Sequence, residues 1–125
     1  MDRLFYIGAG IAGFLVVALG AFGAHALRAR LGPDMIAVFE TGVRYHAYHT
    51  FALFAAAWGC ARWGGRWFPV AGWAFIAGLV IFPGSLYLLA FTGERWLGMI
   101  TPLGGMFFLA GWAALACGAW RAQRP

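Results

Sequence analysis

The residues best suited to chemistry in this chain are its three histidines, His25, His46 and His49. Imidazole exchanges protons near neutral pH and is a frequent metal ligand. His46 and His49 lie three positions apart in the segment RYHAYHT, so one side of a helix carries both. With His25 as third ligand they could form an open zinc or copper site, although a spacing of four residues gives the better helical pair.

Two other roles for the histidines stay open beside metal binding. His46 and His49 could hydrogen-bond Ser85, Tyr87 or Thr101 on other helices and fix how the helices meet, while His25 caps the end of its own helix. They could also bind a small molecule or handle a proton. The sequence does not decide among these hypotheses.

No arrangement of nucleophile and base is convincing. Ser85 follows Gly84 but has no partner base except the histidines, and the apolar segments contain no carboxylate. We therefore expect no catalytic residues and a protein that is not an enzyme.

Composition indicates the solvent of the chain. Of 125 residues, 63% are hydrophobic and 10% are charged, whereas soluble domains carry about 25% charged residues. The chain is too apolar to cover its own core with polar surface, so its expected partner is a lipid bilayer. The net charge of +5 is scattered without a basic run, which argues against nucleic-acid binding.

Four segments are predicted to cross the membrane, at about 4–25, 36–61, 68–91 and 97–120. The second is long enough only if its helix begins near Pro33 and Asp34, residues typical of a first helical turn. The expected fold is an all-α integral membrane four-helix bundle in a single domain, 1–125, with a partly interfacial N-terminal extension of helix 2.

Arginine counting predicts the orientation of this bundle. All nine basic residues are arginines, a composition typical of bacterial proteins. With four spans, one side of the membrane carries five of them: Arg3, Arg62, Arg66, Arg121 and Arg124. We therefore expect a bacterial inner-membrane protein with both termini in the cytoplasm.

The polar side chains of the four segments converge on the outer half of the predicted bundle. The candidate cluster, for ligand binding or for structure, is His25, Arg44, Tyr45, His46, His49, Ser85, Tyr87 and Thr101. On helix 2 the histidines are expected to face the bundle, while Glu40 and Arg44 lie on the opposite side and bind each other or a lipid headgroup.

Glycine spacing predicts close helix packing. Gly104, Gly111 and Gly118 recur at intervals of seven residues in the fourth segment, and small residues let membrane helices approach closely. We expect such glycine-rich faces to serve self-association into a homo-oligomer as well.

Four motifs carry a family resemblance over essentially the whole chain: GAFGAHAL, TGVRYHAYHTFAL, GSLYLLAFTG and ITPLGG. In this order they resemble the DUF423 family of small membrane proteins, related to eukaryotic transmembrane protein 256. The resemblance implies a four-span membrane protein and no particular activity, since the family name records an unknown function. The matching motif positions are His25, Arg44, Tyr45, His46, His49, Ser85, Tyr87, Thr101 and Pro102.

The sequence therefore predicts a non-enzymatic membrane protein whose outer polar cluster organises the bundle and binds a small ligand, a lipid headgroup or a metal. One alternative is a subunit of an oligomeric transporter or channel with a path lined by the histidines. A transporter also needs a polar route through the inner half, and the sequence shows none there. The other alternative is a metal- or haem-binding subunit.

Overall fold

The structure, a computed structural model, describes residues 1–122 as a succession of helices without strands. Arg124, used in the orientation argument, lies outside the described residues. The helices are α1 (Asp2–Ala18), which continues through a π-helical turn (Leu19–Gly23) into α2 (Ala24–Leu27), α3 (Pro33–Arg62), α4 (Trp67–Thr92), a 3-10 turn (Arg95–Met99) and α5 (Thr101–Ala122).

The predicted all-α membrane bundle is confirmed. Three helical stretches are long and apolar enough to cross a bilayer: Asp2–Leu27, Trp67–Thr92 and Arg95–Ala122. The fourth long helix, α3, has 30 residues but does not meet the same criterion of apolarity. Its first half carries Asp34, Glu40 and Arg44.

Local signals explain where the helices begin and end. α3 starts with Pro33 at its first position and Asp34 in its first turn, because proline lacks the N–H that would be unpaired there and the carboxylate faces the positive helix end. α4 ends at Gly93, whose φ of +73° lies in the left-handed region that glycine adopts without strain. Pro83 lies buried within α4, which continues through it.

The helices form an open row in chain order. α1 packs on α3, α3 on α4, and α4 on α5, whereas α1 barely reaches α4 and α5 barely reaches α3. Within residues 1–122, α1 and α5 do not touch. Because the row does not close into a square, one groove opens between α3 and α5 and another between α1 and α4.

Glycines hold α5 close to α4. A Cβ on Gly104 would lie 2.5 Å from the backbone nitrogen of Phe82, and one on Gly118 would lie 2.9 Å from the ring of Phe68. Gly111 meets the ring of Phe75 in the same way. The predicted glycine stripe is therefore used inside one chain, which removes it as a reason to expect self-association.

Large apolar side chains cover the outside of the row. Phe14, Phe22, Phe51, Met99 and Leu109 are each more than two-thirds exposed. Such a surface would be unfavourable in water but matches hydrocarbon.

Candidate functional site

Helix α3 carries the two buried histidines of the chain. His46 and His49 expose only 6% and 5% of their surface, and they turn towards different neighbours. His46 contributes to the wall of the groove between α1 and α4, and His49 to the wall of the groove between α3 and α5. One helix thus gives each groove one imidazole.

Both nitrogens of His49 are engaged. Nδ1 lies 2.7 Å from the carbonyl oxygen of Tyr45, which can only accept, so Nδ1 carries the proton. Nε2 lies 3.1 Å from the indole nitrogen of Trp112, which can only donate, so Nε2 accepts. These partners assign His49 to one neutral tautomer. They also leave it no lone pair for a metal ion.

The ring of His49 is fixed by stacking as well. Its centroid lies 3.4 Å from that of Phe108, with the planes 7° apart. Phe75 flanks the same ring at 6.0 Å. The imidazole is thus held by α3, α4 and α5 together.

His46 makes a different contact. Its Nδ1 lies 2.9 Å from the hydroxyl oxygen of Tyr87 on α4. Gly42, one turn earlier on α3, makes room for this tyrosine, because a Cβ there would lie 2.9 Å from Tyr87 Cε1. The Tyr87 ring also packs against Phe39 at 5.3 Å.

Ser85 and Thr101 join α4 to α5. Their hydroxyl oxygens lie 2.6 Å apart, and Ser85 Oγ lies 2.9 Å from the carbonyl of Phe82. Thr101 Oγ1 in turn lies 3.5 Å from the carbonyl of Leu97, so either hydroxyl can donate across the contact. The Thr101 hydroxyl bonds across to α4 at the point where α5 begins.

The other members of the predicted cluster stand apart. His25 is exposed in the last turn of α2, and no hydrogen bond of its side chain occurs among the described residues. The expected cap by His25 is therefore wrong. Arg44 is exposed, and no ion pair links it to Glu40 within residues 1–122. The Glu40–Arg44 pair is therefore also wrong, and the headgroup alternative stays a prediction.

Metal binding finds no ligand set in this arrangement. Across residues 1–122, no group of three or more His, Cys, Asp or Glu side chains could hold a metal ion. His25 does not join the buried histidines, and His49 has no free nitrogen. The three-histidine hypothesis therefore has no geometry to support it.

The α3–α5 groove is the larger of the two, with a volume of about 870 Å³. Phe82 of α4 lies at its base and almost all of its lining is apolar. The lining residues are Tyr45, Tyr48, His49, Phe51, Phe82, Pro102, Gly105, Met106, Phe108, Leu109 and Trp112. The α1–α4 groove, of about 430 Å³, is lined by Ala12, Leu15, His46, Leu79, Tyr87 and their neighbours.

Sequence reasoning missed Trp112 and Phe108. Trp112 lies in the middle of an apolar segment, away from the predicted membrane interface where tryptophan is common. An indole N–H in an apolar environment needs an acceptor, and that requirement was the available signal. The position of Phe108 opposite His49 depends on the α3–α5 spacing, which no sequence pattern supplies.

Comparison with known proteins gives a consistent family match. The family model of DUF423, described as a protein of unknown function, matches residues 19–105. The UPF0382 inner membrane protein YgdD of Escherichia coli K12 is 43% identical over 123 residues, covering 98% of this chain and 94% of that protein. The UPF0382 membrane protein YwdK of Bacillus subtilis 168 is 42% identical over 118 residues, covering 94% and 96%. No solved structure matches the chain significantly.

Proposed function

The chain belongs to the DUF423 family, and on that premise we propose that it is a non-enzymatic inner-membrane protein that binds the acyl chain of a lipid in its α3–α5 groove. The observation that carries this proposal is the groove itself. It is about 870 Å³ in volume, apolar almost throughout, and lies beside two helices long and apolar enough to cross a membrane. An acyl chain is the one abundant ligand that the surroundings of such a groove supply.

The polar cluster gives the groove its shape. His49 stacks on Phe108 and accepts from Trp112, so one imidazole ties α3 to α5 at the groove wall. Ser85 and Thr101 tie α4 to the start of α5. In a bilayer, apolar contacts between helices are hardly more favourable than contacts with lipid, so such hydrogen bonds and ring stacks determine how the helices pack. The cluster therefore acts as an organiser of the bundle, and the ligand touches its apolar faces.

The proposed topology has four spans with both termini in the cytoplasm. Gly42 of α3 meets Tyr87 of α4, and Gly59 meets Phe68, so α3 runs antiparallel to α4 over about 25 Å. A helix that accompanies a membrane-spanning neighbour over this length also crosses the membrane. The arginine distribution supports a cytoplasmic location for both termini. The name of the relative YgdD, an inner membrane protein, supports a location in the inner membrane.

Two alternatives have less support. A transporter or channel path needs polar groups along the whole membrane, but the buried polar residues described are His46, His49, Thr50 and Ser85, all in one half. A metal or haem role has less support because both ring nitrogens of His49 already make hydrogen bonds. Self-association stays a prediction, and the α5 glycines give it no support because they pack on α4.

A photoreactive lipid tests the proposal. The full-length protein is reconstituted in vesicles that contain a trace of phosphatidylcholine with a diazirine in its acyl chain, and cross-linked residues are mapped by mass spectrometry. We expect labelling of Met106 and Leu109 in the groove to exceed labelling of Phe14 and Val17, which are equally exposed on α1.

Filling the groove supplies the matched variants. Gly105 lies in the groove, and a Cβ there meets Phe82 only at an ordinary 3.8 Å, so Gly105→Leu adds volume without breaking the packing. Gly10 has nothing within 4 Å, and Gly10→Leu adds the same side chain on the open lipid face. Groove labelling must fall in the Gly105 variant alone. Labelling that is uniform over the surface, or unchanged by Gly105→Leu, rejects the acyl-chain site.

A further inference from the structure

A pocket separate from the two grooves lies at the end of the bundle opposite the polar cluster, where the α3–α4 loop meets the last turn of α5. Its volume is about 270 Å³. The residues around it are Trp63, Gly64, Gly65, Arg66, Trp67, Gly118, Arg121 and Ala122. Unlike the two grooves, this pocket is lined to a large extent by polar atoms, and two of its lining residues, Arg66 and Arg121, are positively charged.

Two guanidinium groups converge on one ring in this pocket. The Cζ atoms of Arg66 and Arg121 lie 5.2 Å and 5.6 Å from the centroid of the Trp67 indole. Each gains a cation–π contact, but two like charges held against one ring repel each other. An anion that both guanidinium groups contact would turn this repulsion into attraction.

No carboxylate of the described residues supplies that anion. Asp34, Glu40 and Glu94 lie at the other end of the bundle. Asp2 lies 3.7 Å from the N-terminal ammonium group, and this is the one salt bridge within residues 1–122. The two arginines thus form a positive pair without a described acidic partner.

The indole of Trp67 also lacks a partner. Its Nε1 is buried and makes no hydrogen bond, and it is the one buried side-chain polar atom of residues 1–122 in this condition. A buried donor without an acceptor destabilises the folded chain. An acceptor within hydrogen-bond distance of Nε1 would give this donor a partner.

The start of α4 adds backbone donors beside a loop without side chains. Gly64 and Gly65 have φ values of +69° and +83°, which glycine adopts readily and which leave this rim of the pocket without side chains. α4 begins at Trp67 with no side-chain cap, and Pro69 has no N–H, so the N–H groups of Trp67 and Phe68 have no acceptor inside the helix. Phosphate sites at helix N-termini use such groups.

We propose that this pocket binds a phosphate group. Arginine is suited to the role because its planar fork matches phosphate oxygens in pairs, and the indole N–H and helix N-terminus supply neutral donors beside it. The pocket is apart from the α3–α5 groove, and the inference does not depend on the acyl-chain proposal. The phosphate belongs either to an anionic lipid headgroup or to a free phosphate, which present the same oxygens.

Lipid retention measures this site in the whole protein. The chain is extracted from vesicles of phosphatidylcholine with phosphatidylglycerol, and bound lipid is counted by native mass spectrometry. We expect wild-type protein to retain phosphatidylglycerol over phosphatidylcholine, and Arg66→Gln and Arg121→Gln each to lower that preference about tenfold, the equivalent of one charge-assisted hydrogen bond. Trp67→Phe keeps the ring but removes the N–H, and we expect a smaller loss of about threefold.

Arg62→Gln is the matched control, because Arg62 is exposed at the same end but does not line the pocket. It must keep the preference. Competition by inorganic phosphate at millimolar concentration assigns the site to free phosphate, and its failure to compete assigns the site to the headgroup. Equal losses in the Arg62, Arg66 and Arg121 variants would show diffuse charge attraction and overturn the proposal. No loss in Trp67→Phe would exclude the indole N–H as a donor to the phosphate and overturn it as well.

Discussion

His46 and His49 lie one helical turn apart, are equally buried, and yet hold the bundle differently. His49 has protein partners at both nitrogens and a ring stacked on Phe108. His46 has one hydrogen bond to a side chain, from Nδ1 to Tyr87. The difference teaches that a histidine pair in a sequence need not be one site. Here α3 directs one ring to each of two grooves.

The largest effect is expected from His49→Ala. The change removes the stack on Phe108 and leaves the Trp112 N–H without its acceptor. Truncation of a buried ring costs about 3 kcal/mol or more. The midpoint of unfolding of the detergent-solubilised protein should therefore shift to a much lower denaturant concentration. His46→Ala also truncates a buried ring, but it breaks one side-chain hydrogen bond and no close ring stack, so it should cost less than His49→Ala by about 1 kcal/mol.

Phe51→Ala provides the control for ring loss, since Phe51 is on the same helix but 76% exposed to the lipid side. It should be nearly neutral. If His46→Ala destabilises the protein as much as His49→Ala, the unequal roles assigned to the two rings are wrong.

The second effect concerns the room made for Tyr87. Gly42→Ala brings a methyl group 2.9 Å from Tyr87 Cε1 and should push the phenol away from His46. Overpacking of this kind costs about 1–3 kcal/mol. Gly10→Ala adds the same methyl group where nothing lies within 4 Å, and serves as the matched control in the same unfolding assay.

A comparison with Gly42→Ala in the background of Tyr87→Phe sharpens this prediction. The clash with the ring persists in that background while the hydrogen bond is already absent, so the cost should fall by the share due to the bond. An unchanged cost would mean that the hydrogen bond contributes nothing to stability.

The sequence predicted the fold better than the site. Composition and segment length identified the helical membrane bundle, because a bilayer permits few other structures for such a chain. The seven-residue spacing of Gly104, Gly111 and Gly118 identified a close-packed face. It could not tell whether the partner was α4 or a second chain, because glycine permits approach without choosing a neighbour.

The site escaped prediction for a different reason. A spacing of three residues places His46 and His49 on the same side of α3, and the sequence favoured one shared site for them. Three residues still differ by about 60° around the helix axis. This angle is enough to direct the two rings to different grooves, because α4 lies between the α1–α4 groove and the α3–α5 groove. The position of His25 was also not predicted. The sequence located it at the end of the first span, but the exposure of its side chain depends on tertiary packing.

The third effect tests whether the two histidine contacts are independent. Trp112→Phe removes the donor to His49 Nε2, and Tyr87→Phe removes the partner of His46. Each should cost about 1 kcal/mol or less, as interhelical hydrogen bonds in membranes do. Because the two contacts share no partner, the double variant should show the sum of the single costs within about 0.5 kcal/mol.

Trp112→Phe combined with His49→Phe, which keeps a ring but removes the acceptor, gives the contrasting cycle, since those two residues bond each other. There the costs should not add, because the second change removes an interaction that is already lost. Additivity in both cycles would mean that the His49–Trp112 bond does not stabilise the protein.

The smallest effect is expected at the hydroxyl pair. Ser85→Ala removes the bridge to Thr101, but Thr101 then keeps the nearby carbonyl of Leu97, 3.5 Å away, as an alternative acceptor. Thr101→Val removes the other hydroxyl of the pair while Ser85 keeps its bond to the carbonyl of Phe82. In both cases no buried group is left unpaired, so each variant should lose about 0.5 kcal/mol, below either histidine. A loss from Ser85→Ala as large as that from His49→Ala would make the α4–α5 hydroxyl pair as important to stability as the α3–α5 contacts of His49, and would contradict this ranking.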